Sequence, residues 1–263
     1  MKYLIPVIII LFVTSCKKEE FSPRLTKEFS IQSISNGANY KIKVGLPENY
    51  DPAVHKYATI YLLDGEENFD FVATKCNEIS QDFSTSNMLV VSIGYGYDRT
   101  VDYTPTHASE GNGGANEFMM FIRNELIPKM EHDFSADTIR RSRVILGHSF
   151  GGLYAAFAFT KYNDVFGNYI MLSPSLWYDN EILLRYEQDN RNDNNLNHQV
   201  VFMGIGELER SGRMFAPYEA FYQRLKNNYT HMKVESRMES HLDHMGSKNP
   251  NIIKGLKFYF QNR

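Results

Sequence analysis

Gly147-His148-Ser149-Phe150-Gly151 places a serine between two glycines, directly after the apolar run 144–146 and directly before the small-residue run 153–156. A serine hydroxyl is a weak nucleophile at neutral pH. To act, it needs a base that accepts its proton, a carboxylate that holds the base in one tautomer, and donors for the charge developing on the attacked group. Glycines on both sides of the serine are what a sharp strand-to-helix turn demands, because a Cβ there meets the strand or the helix. A serine N-cap in an ordinary glycine-rich turn is the plainer reading, and the flanking strand and helix patterns weigh against it.

Such a turn, followed in the chain by an acid and then a histidine, has the order of the α/β-hydrolases. Two histidines, His241 and His244, stand in "ESHLDHMGS", after an alternating run at 233–238 and before the last helical pattern. Either one suits the base. Their spacing also suits a metal pair, but no third ligand cluster accompanies them, so the expected site has neither metal nor cofactor. His148 is expected to pack beside the nucleophile. The apolar run 200–205 leads into Gly206-Glu207-Leu208-Glu209. Glu207 directly follows the strand and is the expected acid, with Glu209 in reserve. The loop after "YLLDG" offers Gly65 as one oxyanion donor and the Phe150 N–H as the other; a plain Asp-Gly turn is the competing reading there.

These residues need a scaffold that brings three chain-distant loops to one edge. Residues 29–35 and 40–46 read as a hairpin joined by Asn36-Gly37. Residues 57–63 and 88–93 are continuous apolar, β-branched-rich runs of the kind buried in parallel sheets, and 144–147, 169–172 and 200–205 are shorter ones. Helical patterns cover 117–131, 153–162, 217–227 and 251–260. The alternation predicts one α/β domain over 26–263, with a mostly parallel sheet and helices on both faces; with the serine turn, the resemblance to the α/β-hydrolases implies that fold with no large cap domain. The polar stretch 189–195 reads as a surface loop. A net charge of −3 with both signs interspersed leaves no electrostatic footprint for nucleic acid.

The N-terminus reads separately. Lys2 precedes an apolar run from 3 to 13 and then Thr14-Ser15-Cys16. The run is short for a bilayer span and has the layout of a secretory signal. "VTSC" resembles the lipobox of bacterial lipoproteins, which implies a signal peptide at 1–15, lipidation of Cys16 and a tether at 16–25. The expected partners are therefore a small ester and, through the lipid, a membrane. The expected place is the bacterial cell envelope, at the outer membrane. Cys76 is then left without a disulfide partner.

Several segments together resemble the esterase family of α/β-hydrolases that includes enterochelin and salmochelin esterases, S-formylglutathione hydrolase and feruloyl esterases. They are "YLLDG" (61–65), "IGYGYDRTVDYTP" (93–105), "GGANEFMMFIRNELIPKME" (113–131), "LGHSFGG" (146–152), "LSPSLWYDN" (172–180), "GELE" (206–209) and "GLKFYF" (255–260). The resemblance implies Ser149 as nucleophile, His244 rather than His241 as base, and oxyanion donors from Gly65 and Phe150. It also implies Arg99 as a residue lining the substrate cleft of the siderophore branch, some of whose members work with a serine–histidine pair alone. The implied activity is ester hydrolysis through an acyl-enzyme, with a ferric catecholate siderophore trilactone as candidate substrate. Arg99, with Tyr95, Tyr97 and Tyr103, suits an anionic aromatic ligand; a structural ion pair of Arg99 with Asp98 or Asp102 is the plainer reading. Feruloyl or acetyl esters of polysaccharide, transfer to an alcohol, and a non-catalytic binding lipoprotein are the alternatives.

Overall fold

The computed structural model describes residues 25–86, 88–195 and 198–263, so the expected signal peptide, Cys16 and nearly all of the tether lie outside the described residues. In chain order the elements are β1 (Thr26–Gln32), β2 (Asn39–Gly45), β3 (Thr59–Leu62), α1 (Gly65–Asp82), β4 (Leu89–Ile93) and α2 (Arg99–Asp102). A two-stranded hairpin, β5 (His107–Ala108) and β6 (Gly111–Asn112), comes next. It is followed by α3 (Ala115–Phe121), which runs through a π-helical turn into α4 (Ile127–Asp133). The second half holds β7 (Arg143–His148), α5 (Phe150–Lys161), β8 (Asn168–Leu172), α6 (Tyr178–Asn194), β9 (Gln199–Gly206), α7 (Phe215–Asn228), β10 (Met232–Glu239) and α8 (Lys248–Asn262).

Eight strands form one sheet in the order β1-β2-β4-β3-β7-β8-β9-β10. Only the β1–β2 and β2–β4 pairs are antiparallel; every pair from β4 to β10 is parallel. This is the α/β-hydrolase fold in a single domain. Side chains alternate across the strands, as the period-two geometry of a strand requires. Tyr61, Val91, Ile145, Tyr169, Met171 and Val201 join a core with α3, α5 and α7. Ile60, Leu62, Val90, Val144, Leu146, Ile170 and Phe202 join a second core with α1 and α8. Each such fully buried apolar side chain stabilises by about 1.5–3 kcal/mol, so both faces must be covered by helices.

Two local expectations are corrected. The first strand stops at Gln32 rather than at 35, because the Ile34 and Ser35 amides and the Ser33 and Ser35 hydroxyls bind the Glu125 carboxylate instead of a neighbouring strand. Residues 189–194 are helical, not loop. Glu187, wholly buried, takes Arg191 at 2.8 Å, Arg224 at 3.4 Å and the Tyr229 hydroxyl at 3.2 Å, and Asn194 donates to the Thr160 carbonyl at 2.9 Å. Those contacts override a composition poor in helix formers. The Asp64-Gly65 pair opens α1, against the competing reading of a plain turn there, with Asp64 left-handed at φ 51°.

Candidate active site

β7 delivers the chain to Ser149, and α5 begins at the next residue. Ser149 has φ 59° and ψ −117°, a conformation that costs about 1–3 kcal/mol for a residue with a Cβ. Its neighbours over-determine it: the Ser149 N–H donates to the Leu172 carbonyl at 2.9 Å, and its carbonyl accepts from Leu153 N at 2.9 Å and Ser175 N at 3.2 Å. The flanking glycines are required by contact. A Cβ on Gly147 would lie 2.3 Å from the Gly151 carbonyl carbon, and one on Gly151 would lie 2.8 Å from Asp64 Oδ2.

The histidine loop follows β10 and returns over this turn. His148 is buried and, through Nε2, lies 2.9 Å from the His244 carbonyl. The rings of His148 and His244 are 4.5 Å apart. Burial, and then the neighbouring His244, lower the His148 pKa to about 4, so its imidazole is neutral at pH 7. His244 Nδ1 lies 2.7 Å from Glu209 Oε2, which leaves Nε2 as the nitrogen free to exchange a proton. His241 is almost fully exposed, its Nδ1 3.7 Å from Glu207 Oε2.

The carboxylate on His244 is therefore Glu209, not the expected Glu207. β9 ends in a 3-10 turn, Glu207–Ser211, and in such a turn residues three apart share a face. Glu209 is brought back over Gly206, whose N–H donates to Glu209 Oε1 at 2.9 Å, and the Ser173 hydroxyl donates to the same oxygen at 2.6 Å. Burial works against the charged form, but the bonds from His244, Ser173 and Gly206 outweigh it and hold the carboxyl below its ordinary pKa. Glu207 points to the outer loop and accepts the His241 N–H at 2.7 Å.

Gly65 and Phe150 are the first residues of α1 and α5. First-turn amides have no intrahelical acceptor and lie at the positive end of the helix dipole. The two helix starts adjoin, since the Asp64 carboxylate packs on Gly151. Gly65 itself sits hard against β4; a Cβ there would overlap the Ser92 side chain.

Arg99 ties this arrangement together. Its Nε and Nη2 each donate to Asp64 at 3.1 Å, and Nη2 also reaches the His148 carbonyl at 3.3 Å. Its structural partner is thus Asp64, not Asp98 or Asp102. Asp98 caps α2, and Asp102 accepts from Gly96 N–H and the Tyr40 hydroxyl. The Arg99 side chain is still 36% exposed, enough to meet a ligand, and its guanidinium lies 5.7 Å from the Phe150 ring centre. Tyr103 is corrected as a ligand-facing residue: it is fully buried and accepts the Asp64 N–H at 3.0 Å. The Tyr95 hydroxyl donates to Asp64 at 2.6 Å, and Tyr97, exposed, donates to the Asn36 carbonyl. Asp64 and Ser173 were missed as site residues; both stand in segments quoted above, but no spacing rule marks a carboxylate that serves an arginine or a hydroxyl that serves a carboxylate.

The family model described as "Putative esterase" matches residues 33–247. The ferri-bacillibactin esterase of Bacillus subtilis is 28% identical over 221 residues, covering 74% of this chain and 75% of that one. The crystal structure of the BES protein from Bacillus cereus superposes with a TM-score of 0.81 at 27% identity, covering 94% of this chain and 98% of the other. An IroE-like serine hydrolase from Shewanella oneidensis superposes with a TM-score of 0.78 at 26% identity, over 90% of this chain and 80% of the other.

Proposed function

Because the chain belongs to this esterase family and is a carboxylic ester hydrolase, we propose that Ser149 is its nucleophile, His244 its base and Glu209 the carboxylate that holds the base. His244 Nε2 takes the Ser149 proton as Oγ adds to the ester carbonyl carbon. The Gly65 and Phe150 N–H groups receive the oxyanion. Collapse breaks the bond to the alcohol, which leaves with the proton from His244 and leaves an acyl-Ser149 ester. Water then gives a proton to His244, attacks the acyl carbon and releases the acid, and the proton returns to Ser149. Glu209 keeps the Nδ1 proton in place and stabilises the imidazolium. The observation that carries this reading is the Glu209–His244 bond of 2.7 Å beside a strained serine turn.

The substrate we propose is a ferric catecholate siderophore trilactone. The relatives named as siderophore esterases support it, as does Arg99, a partly exposed cation beside the Phe150 ring. The pattern of residues 2–16 supports a lipid anchor on Cys16 and a place in the bacterial cell envelope, at the outer membrane. The test is twofold. A fluorophosphonate should label Ser149 alone, and the protein should release linear catechol–serine esters from a ferric trilactone. Labelling elsewhere sinks the mechanism; labelling of Ser149 without trilactone cleavage sinks the substrate.

A further inference from the structure

An open cavity of about 530 Å³ is lined by His107, Glu110, Trp177, Asp179, Asn180 and Arg213. That volume is in the usual range for a small-molecule site, roughly 300–1,000 Å³. The segment that carries Trp177 also touches the nucleophile turn. Ser175 N–H donates to the Ser149 carbonyl, and the Trp177 ring is 6.1 Å from that of Phe150. Arg213 lies over Trp177, its guanidinium carbon 3.3 Å from the ring centre, while the indole N–H is held on Met214 Sδ at 2.9 Å. Arg213 follows the turn that carries Glu209. Across the cavity its Nη1 meets Glu110 Oε1 at 3.2 Å, and Glu110 sits at the tip of the β5–β6 hairpin.

The charges here are mixed. An anion entering the cavity meets Arg213 but also two carboxylates, Glu110 and Asp179; the latter accepts the Thr106 hydroxyl at 2.6 Å. The Arg213–Glu110 pair is well exposed, 61% and 41%, and exposed pairs of this kind are weakly held. A guanidinium stacked on an indole leaves its other face to a second flat ring, which it meets by stacking and by charge.

We infer that Arg213 is a specificity residue that releases Glu110 and takes up an anionic aromatic group of the substrate, stacked as Trp177–Arg213–arene. This deepens, and rests on, the siderophore reading of the same site. Glu110 is then an internal competitor: a neutral ester brings no charge to displace it, whereas a catecholate does.

Trp177 is the single tryptophan of the chain, so protein carrying 5-fluorotryptophan reports this cavity as one fluorine resonance. Titrated with 2,3-dihydroxybenzoate, that resonance should shift with a Kd at least fivefold below that for uncharged catechol. Glu110→Gln should tighten the benzoate about threefold and Arg213→Ala should weaken it about tenfold, in proteins whose melting temperatures match the parent. In turnover, Arg213→Ala should raise KM for the ferric trilactone at least fivefold more than for an aryl acetate. Equal binding of the two probes, or Glu110→Gln that fails to tighten the benzoate, overturns the inference. If the probe titrations come out as expected but the ferric trilactone is not cleaved, the substrate reading falls and the Arg213 site stands.

Discussion

His244 Nδ1 and Glu209 Oε2 lie 2.7 Å apart, while Glu207, two residues earlier, binds the backbone of His241. Two carboxylates in one loop are thereby separated into one that holds an imidazole and one that braces a turn. Glu209→Gln should lower kcat by about 10²–10⁴ with KM and melting temperature near the parent, because the amide no longer holds the Nδ1–H tautomer. Glu207→Gln should stay within about twofold. Steady-state kinetics on one aryl ester decide it, and the reverse ranking, or harmless changes at both, would remove Glu209 from the mechanism.

Ser149→Ala should lower turnover by about 10⁶, since members of such a unit act together and loss of the nucleophile removes the covalent route. The substitution also leaves the strained backbone in place, so its melting temperature is expected to stay near the parent. Residual activity within tenfold would contradict the nucleophile assignment.

Arg99 and Asp64 form a two-point ion pair in which Asp64 is only 6% exposed. Removing Arg99 strands that carboxylate with Tyr95 as its remaining side-chain donor among the described residues. Arg99→Ala should lower stability by about 1–3 kcal/mol, the range for an unsatisfied buried group discounted for Arg99's own exposure. Arg99→Ala with Asp64→Asn should recover part of the loss, because deleting both charges leaves no buried ion unpaired. Urea melts read both. A full-strength melt for Arg99→Ala with a selective loss on anionic substrates would make Arg99 a ligand contact without a structural role.

His148 contributes to the pH dependence of stability. Its folded pKa, about 4, lies below the ordinary 6.5. Between those values the unfolded chain binds a proton that the folded chain refuses. Stability from this group is therefore full above pH 6.5, and it falls as pH drops from 6.5 to about 4, by on the order of 3 kcal/mol in all. His148→Gln, which keeps a donor for the His244 carbonyl, should flatten this part of the stability curve. Parallel slopes for both proteins would assign the acid loss elsewhere.

Cys16 is expected to carry lipid. One acyl chain binds a membrane only marginally, but the two or three of a bacterial lipoprotein anchor it stably. Cys16→Ser should move the protein from the membrane to the soluble fraction, and a clickable fatty acid that fails to mark the parent in its host would count against the anchor.

The sheet, the strand-to-helix turn at Ser149 and the chain order of the serine, the acidic loop and the histidine loop were legible in the amino-acid sequence. Those features are local: continuous apolar runs set buried strands, and two glycines can flank a serine at a sharp turn wherever it occurs. Its limits were equally local in origin. Helix α6 and the shortened β1 depend on Glu187 and Glu125, whose partners lie up to 92 residues away. Which of Glu207 and Glu209 meets His244 follows from the fold, because the 3-10 turn after β9 rotates the third residue, not the first, toward Ser173 and His244. It alone gave Arg99 to Asp64 rather than to its neighbours Asp98 and Asp102, and it buried Tyr103 beneath that pair. Side-chain pairing across loops is set by how the strand ends converge in space, and no spacing along the chain encodes that distance.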